Sequence, residues 1–583
     1  MNGNKGEKSS SLVLAIALSL GCVVFPNGAG FASEKSDNIV VADDDVLETE
    51  SSAQYFGSYP LYNSVSIGNG AIWRPVDSEP LAGAVYLIGD LSVQKGGMID
   101  LGWATTGYGG SNSKMSLSVG GGTITLRDGA LIRMNYRGGS NMSDSLMFYN
   151  ASAYPDTKFI LPDGKTNIGF QLGYISKDPQ GNSIDWSSNP TYISGNFDES
   201  VPVVTFYQGA GYYAPLDVPE GLTVTAQGSY MDSPLLKYWV EPELEFIENP
   251  TGMNKDYKGW YLSGFTAENT GVSESVMEAA DNHRAVLNMW RLDDSFLFKR
   301  NSDLRMQRLD GSDGEHKRSE GVWSNMYRGK YKYDSSYGRS ISQNYKGVQV
   351  GFDKEHDGDF YNGTLYRGIY MGLSDADADF YAGKGELKSS SIGLYNSWIG
   401  NKGHFVDVGL RIARMENEYS YIDSAGLNKN NEYKTWAWGI SSQYGIRKEL
   451  KNGVYYEPQV GLSYGRMTAA DYTMVKGVRF HQENQDFLTG RAGILVGQKF
   501  DNGKGSDNIY ARAMLNHDFI GASDATAAYG SGKLKVEPVG DRDTWVDLTI
   551  GANKKFSETG SGYIELSKTV GGEVRSDWQI AGG

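Results

Sequence analysis

From residue 321 onward, apolar and polar residues alternate with a period of two. In 404–415, Val406, Val408, Leu410 and Ile412 share one face, and Asp407, Gly409, Arg411 and Ala413 share the other. Trp436, Trp438, Ile440, Tyr444 and Ile446 oppose Ala437, Gly439, Ser441, Gln443 and Arg447 in the same way. So do Val454, Tyr456, Val460, Leu462 and Tyr464 against Glu457, Gln459, Gly461 and Ser463. Two later stretches set Val546, Leu548, Ile550 and Ala552 against Asp547, Thr549 and Asn553, and Ile564 and Leu566 against Glu565 and Ser567. Successive side chains of a strand point to opposite faces, so about a dozen antiparallel strands with one apolar face are expected. The polar face is rich in small residues as well as charges, which suits a wet lumen. Aromatic residues gather near segment ends on the apolar face, as membrane-interface girdles do. The expectation is a closed transmembrane barrel, narrow enough for one helix to fill it.

Only one long segment has helical spacing. Residues 271–305 place Val272, Val276, Ala280, Leu287, Trp290 and Leu297 at intervals of three, four or seven, and Ser275 with Glu278 has the form of a capping box. Taken alone, this is a helix between two domains. Before it, short apolar patches recur at 84–87, 115–119, 123–126, 130–135 and 146–150, with Gly, Asn or Asp turn residues between them. Brief strands of this kind fit a β-solenoid, whose stacked coils bury a shared core, although no fixed period can be counted. Residues 33–81 are acidic and polar and are expected to be loose.

Composition agrees with a strand-rich envelope protein. The 583 residues include 75 Gly and 38 Tyr but one Cys, and the formal net charge is −16. That charge argues against a nucleic-acid partner, since no basic stripe is evident in the sequence. Lys5 and Lys8 precede an apolar run at 11–25, and Gly30-Phe31-Ala32 follows with small residues, which reads as a secretory signal peptide over 1–32 cleaved after Ala32. Cys22 falls inside that leader. No other stretch approaches the roughly 20 apolar residues of a spanning helix, so a barrel is the available way to cross a membrane.

Candidate chemistry is sparse. No Gly-x-Ser-x-Gly elbow with the right context, no His-Glu-x-x-His and no Gly-Asp-Ser-Gly turn occurs in the first half, where no His precedes His283. Asp43–Asp45 reads as a solvated run. Asp375, Asp377, Asp379 and Glu386 imitate an EF-hand loop, but Phe380 stands where Gly permits the turn. Gly461-Leu462-Ser463-Tyr464-Gly465 imitates a nucleophile elbow inside an alternating strand. No catalytic residue, metal or cofactor, and no enzyme, is therefore expected.

Several motifs carry a resemblance to bacterial type V autotransporters. Phe298-Lys299-Arg300-Asn301-Ser302-Asp303-Leu304-Arg305 resembles the motif that opens their β-domains, with Lys299, Arg300, Asp303, Leu304 and Arg305 at the barrel entry. Residues 347–353, 393–400, 456–460 and 489–493 match further parts in order. Residues 141–146 and 203–206 are similar to the late β-helix of pertactin-type passengers. Residues 238–246 and Gly259-Trp260-Tyr261-Leu262 are similar to the stem before the barrel. Two departures stand out: Trp323-Ser324-Asn325 replaces Trp-x-Arg in the first strand, and 577–583 lacks the terminal aromatic signature, so the last strand is expected to be truncated.

The resemblance implies an all-β chain. A short right-handed parallel β-helix passenger (82–270) would follow the acidic segment 33–81. A helix (271–305) would then thread a 12-stranded barrel (306–583). It implies outer-membrane lipid as surroundings, export and barrel-assembly machinery as transient partners, and a monomer. A host or matrix surface would be the ligand if the passenger is an adhesin. It also implies that the helix is a plug, whose Ser295-Phe296 stands where some relatives have a scissile Asn-Asn pair. Two other functions compete: a porin-like channel with a periplasmic domain, and an autotransporter that releases an enzyme.

Overall fold

A computed structural model describes residues 34–35, 38–50, 53–55, 59–75, 84–101, 116–138, 145–151, 156–209, 213–251, 255–309, 320–356, 359–423, 428–501, 506–520, 523–539, 542–557 and 560–583. The leader, its cleavage site and residues 141–144 lie outside these, as do the side chains of Asp293, Asp294, Ser295, Phe296 and Leu297. The chain divides into two units. The first comprises Met1–Gln171, Glu199–Ala226 and Leu244–Leu262; the second comprises Leu172–Asp198, Gln227–Glu243 and Ser263–Gly583.

The first unit is a stack of short parallel strands. Val46–Glu50 pairs with Ile72–Pro75, which pairs with Met98–Asp100, which pairs with Leu131–Tyr136. A second sheet runs through Tyr59–Ile67, Ala84–Val93, Ser116–Gly120 and Ser145–Ala151, again in parallel register. This is the β-solenoid expected from the patches, and it differs from expectation in where it begins. Asn38–Val41 already pairs with residues 64–67, so much of the acidic segment expected to be loose forms coils. Its Ile39, Val41, Val65 and Ile67 point inward and are buried, and the polar residues alternate outward. An inward side chain at every second position is enough to dock a strand on the next coil, even where the average composition is polar.

A repeat also emerges. Hydrogen bonds joining Ser64 to Asn38, Asn69 to Asp43 and Arg74 to Asp100 each connect residues 26 apart. Each coil has a turn residue in the left-handed region: Asp44, Gly70, Gly96, Gly129, Gly164 and Gly221. These turns stack through main-chain bonds such as Asp44 N–H to Asn69 O (2.8 Å) and Gly96 N–H to Gly129 O (3.0 Å). An L side chain is disfavoured at positive φ, which is why glycine recurs there. The core of this unit holds a column of aromatic rings, Phe148 and Phe206 at 5.3 Å and Phe206 and Trp260 at 6.5 Å, and the exposed Phe246 covers its end, 5.0 Å from Trp260.

The second unit contains one long helix and twelve antiparallel strands closed on themselves. The helix, α1, is Glu274–Leu309. The strands are β1 Gly321–Asp334, β2 Ser340–Glu355, β3 Gly363–Asp379, β4 Gly383–Gly400, β5 His404–Ile422, β6 Asn428–Ile446, β7 Val454–Met467, β8 Gln485–Asp501, β9 Ser506–Asp518, β10 Thr544–Lys555, β11 Ser561–Gly571 and β12 Arg575–Gly582. Neighbours pair in sequence order, and β1 pairs with β12 from Met326↔Gly582 to Lys332↔Arg575. The last strand, expected to be truncated, is thus present as a short strand that completes the ladder.

The faces fall as the alternation requires. Val406, Leu410, Ile412, Trp436, Trp438, Ile440, Val460, Leu462, Leu548, Ile550, Ile564 and Leu566 are exposed on the outside. Asp407, Arg411, Ser441, Gln443, Glu457, Gln459, Thr549, Asn553 and Glu565 are buried inside. The abundance of Gly and Tyr has a packing cause: inward tyrosine rings lie across glycines of the next strand. A Cβ on Gly368 would sit 2.1 Å from the Tyr395 ring, one on Gly393 2.3 Å from Tyr370, and one on Gly347 2.4 Å from Tyr327. The imitation motifs resolve as strand: Asp375, Asp377 and Asp379 lie on the outer face of β3, and Ser463 lies within β7, where it accepts a bond from Arg491 (3.3 Å).

Candidate functional site: the helix seat in the barrel

α1 starts later than its sequence pattern indicates, because Gly271 and Val272 belong to the strand Tyr257–Val272. The expected capping box does not form. Ser273 and Ser275 both donate to Pro234 O (3.2 and 3.3 Å), and the Glu274 amide is capped instead by Asp232 (3.2 Å). A tertiary partner has replaced the local one. The hairpin that supplies Pro234 and Asp232 is itself fixed by Tyr238, whose hydroxyl donates to Pro190 O at 2.7 Å and whose ring meets Trp186 edge-on. Burial pushes the Tyr238 phenol up to about 12, so it remains a neutral donor.

At this end the helix is acidic. Glu274, Glu278 and Asp281 share one face, and Arg339 from the β1–β2 turn reaches all three, at 2.7, 3.0 and 2.6 Å. Lys237 adds a second contact to Glu274 at 2.7 Å. Further along, the signs reverse. Arg284 pairs with Glu573 (2.8 Å), Arg291 with Asp518, and Lys299 with Glu565 (2.7 Å). Arg300 makes a two-pronged pair with Asp353 at 2.8 and 2.9 Å, and Arg305 meets Asp407 at 2.7 Å with Glu457 at 3.8 Å. In mid-helix, Arg411 donates to Trp290 O (2.7 Å) and lies 3.6 Å from the indole ring. That ring rests where Cβ atoms on Gly439 and Gly465 would approach it to 2.9 and 3.0 Å.

All five residues expected at the barrel entry converge here. Lys299, Arg300 and Arg305 hold wall carboxylates, and Leu304 is fully buried among Trp323, Tyr366, Tyr370, Tyr395 and Ile399. Asp303 is buried beside Lys299 and Arg300. Trp260, Tyr261 and Leu262, the expected stem motif, are not part of this seat. They lie in the core of the first unit, where Tyr261 donates to Tyr257 O (3.0 Å). Asp407, Glu457 and Glu565 were expected on the lumen face from the alternation, but neither they nor Asp353 were expected as the partners of the helix. Asn325, where a Trp-x-Arg motif would have Arg, accepts from the Tyr563 hydroxyl at 2.7 Å.

A cavity of about 170 Å³ remains beside the helix, lined by apolar groups such as Trp290, Phe487 and Trp545 and by charged ones such as Arg291, Lys299 and Asp547. The arrangement is a seat: paired charges on helix and wall fix both the rotation and the depth of α1. Tyr395 shows how tightly it is connected, since its hydroxyl donates to Asp353 (2.5 Å) and accepts from Trp323 Nε1 (2.8 Å). Tyr395→Phe should cost about 1–2 kcal/mol, because it deprives both partners at once. The check is a lower temperature for conversion of the compact barrel band to the unfolded band on a denaturing gel.

Residues 322–567 match the family model described as the autotransporter β-domain. Among curated relatives, the chain is 27% identical over 335 residues to the serine protease SepA autotransporter of Shigella flexneri, covering 56% of this chain and 23% of that one. It is 25% identical over 297 residues to the pertactin autotransporter of Bordetella parapertussis, covering 51% of this chain and 30% of that one. The crystal structure of the β domain of the Bordetella autotransporter Brka aligns with 45% of this chain and 97% of its own, at 22% identity and a TM-score of 0.39. The chain spans about a quarter of the length of the curated relatives it matches. These findings overturn one expectation. The absence of an enzyme was inferred from motifs missing in this chain, but SepA, and EspC of Escherichia coli at 27% identity, are named serine proteases. A motif search within one chain does not decide a question on which its relatives point the other way.

Proposed function

The chain carries an autotransporter β-domain, which places it in the bacterial outer membrane with its passenger at the cell surface, and from that premise we propose that the barrel translocates the preceding β-helical segment and then keeps it tethered through α1. In this reading residues 1–32 direct export, 33–270 form the passenger and the chain from 306 onward builds the barrel. The observation that carries the tether is the run of ion pairs from Arg339 at one end of the helix to Arg305 at the other, which leaves no long stretch of α1 unanchored. Ser295-Phe296, at the position of the scissile pair in some relatives, supports an uncut link. The passenger should therefore remain joined to the barrel. Whole-cell protein run on a denaturing gel after boiling should give one band that reacts with antibodies to both parts. A separate passenger band would overturn the tether.

A short surface-held β-helix is suited to adhesion, with a host or matrix surface as ligand. Loss of binding to matrix proteins after external protease treatment of cells would support that role. The names of SepA and EspC favour a second reading, in which the passenger is proteolytic. Hydrolysis of a casein substrate by intact cells, abolished by a serine-directed inhibitor, would favour it over adhesion. A porin-like role predicts steady conductance in planar bilayers, whereas the seated helix predicts a nearly closed lumen.

A further inference from the structure

On the outer face of the barrel, above the apolar band and toward the end where α1 enters, charged residues form a belt. From β2 to β6 the belt alternates in sign across directly paired positions: Lys346↔Asp375, Asp375↔Lys388, Lys388↔Glu416 and Glu416↔Lys434. Opposite charges facing each other across strands stabilise a sheet. Arg414 and Lys434 close on Glu416 at 3.1 and 3.6 Å, so this part of the belt neutralises itself.

The alternation breaks at the seam of β1 with β2 and β12. Arg328 stands directly opposite Lys346, and the same strand continues outward with Lys330 and Lys332. Across the seam, Lys332 faces Arg575 and Lys330 faces Trp578, and β11 contributes outward-facing Lys568. The acidic groups nearby are Asp577, which pairs with Lys332 at 2.8 Å and is also close enough to feel Lys330 and Lys568, Asp334 at the tip of β1, and Asp375 opposite Lys346 on the far side of β2. Among the described residues, Arg328, Lys330, Lys346 and Lys568 have no ion pair. Like charges placed opposite each other on a solvated sheet are unfavourable; the next outward row from β3 to β6 is of one sign as well, Asp377↔Glu386↔Glu418↔Glu432, so the outer face carries an acidic row there and a concentration of positive charge at the seam. Trp578 sits at the same level as Lys330 and marks the height of the membrane interface, where aromatic rings settle. The cations are therefore at headgroup depth, beside lipid.

We propose that the β12–β1–β2 seam is a binding site for an outer-leaflet lipid with a phosphorylated headgroup, its phosphates bridging Arg328 and Lys346 and contacting Lys330 and Lys568, its acyl chains passing Ile580, which is level with Arg328, and lying along Met326 and Val348 below. Arg328 supplies the planar fork that suits phosphate oxygens, and the lysines supply point charge. The site is a separate matter from the tether, since every residue in it faces away from the lumen.

The test uses the full chain, folded and purified in a zwitterionic detergent, with a bisphosphorylated glycolipid added and retained lipid counted by native mass spectrometry. The Arg328→Gln, Lys330→Gln, Lys346→Gln, Lys568→Gln variant should retain at least ~10-fold less lipid than the wild type, since each cation near an anionic surface contributes to binding. The Lys388→Gln, Lys434→Gln variant, altered in the balanced part of the belt, should retain as much as the wild type. Heat-modifiable gel mobility establishes that each variant is folded; if the quadruple variant is not, Arg328→Gln and Lys346→Gln are measured singly, and each should lower retention. Equal retention by the folded seam variants, or equal retention of the dephosphorylated glycolipid, would overturn the proposal. So would binding of inorganic phosphate at the seam without lipid retention, because the site would then serve a free anion.

Discussion

Arg305→Ala should loosen α1 from the barrel and destabilise the second unit by about 3–5 kcal/mol, the cost of breaking a buried ion pair by removing one partner. Arg305 is 1% exposed, Asp407 opposite it is fully buried, and so is Glu457. Ser397 donates to Asp407 at 2.6 Å and Arg447 pairs with Glu457 at 2.6 Å, so part of the compensation survives. What remains is one carboxylate held mainly by a serine hydroxyl, in a wall with little access to bulk water. The guanidinium also lies 3.8 Å from the Phe405 ring, a contact that Lys would not reproduce, so Arg305→Lys should recover only part of the loss. Barrel unfolding followed by heat-modifiable mobility gives the first measurement. The second is the double variant Arg305→Ala, Asp407→Asn. If the pair acts as described, the double variant should be less damaged than the sum of its parts by 1 kcal/mol or more, roughly the coupling of residues in contact. Additive losses would mean that the helix is held by bulk packing and that the charge pairing is incidental.

Gly89→Ala should disrupt the first unit while leaving the barrel intact. Gly89 has φ of 148°, and a Cβ built there would lie 1.8 Å from the carbonyl oxygen of Asn63 on the preceding coil. Gly122, one coil on, repeats the arrangement, with its Cβ position 2.3 Å from the Gly89 carbonyl carbon. Backbone lies against backbone at this corner, so no flexible side chain can move aside. The substitution combines an unfavourable dihedral with overpacking, and a loss of about 3 kcal/mol is expected. Surface-exposed passenger should become sensitive to trypsin on intact cells. The barrel band should keep its heat-modifiable shift, since Gly89 belongs to the other unit. A passenger as resistant as the wild type would show that the coils can separate at this corner without cost.

How much of this was legible beforehand differs by element. The barrel strands were plain, because each has one apolar and one polar face and a period of two survives any local irregularity. The first-unit coils were legible only as scattered patches. Their repeat lies in one left-handed turn position per coil, occupied by Asp44 once and by Gly70, Gly96, Gly129, Gly164 and Gly221 thereafter, and a search for apolar period does not see it. The acidic start reads as loose by composition because composition averages over both faces, whereas Ile39, Val41, Val65 and Ile67 are all on one. α1 was recognised as a helix, but its apolar spacing is a weak guide to its surroundings. Buried residues fall all around it, Glu278, Asn282 and Arg305 among them, because the lumen encloses it on every side.

By itself, then, the sequence determined the alternating strands, the single helix and the cationic Lys299-Arg300 and Arg305 positions, all of which follow from local periodicity and residue chemistry. Only the tertiary structure decided which wall carboxylate meets each cation, that Asp232 rather than Ser275 caps the helix, and that Arg339 gathers Glu274, Glu278 and Asp281. The physical reason is that these partners are 42 to 289 residues apart in the chain, at separations where no local pattern records a contact. They meet because strand register and barrel closure bring one lumen-facing position opposite one helix face.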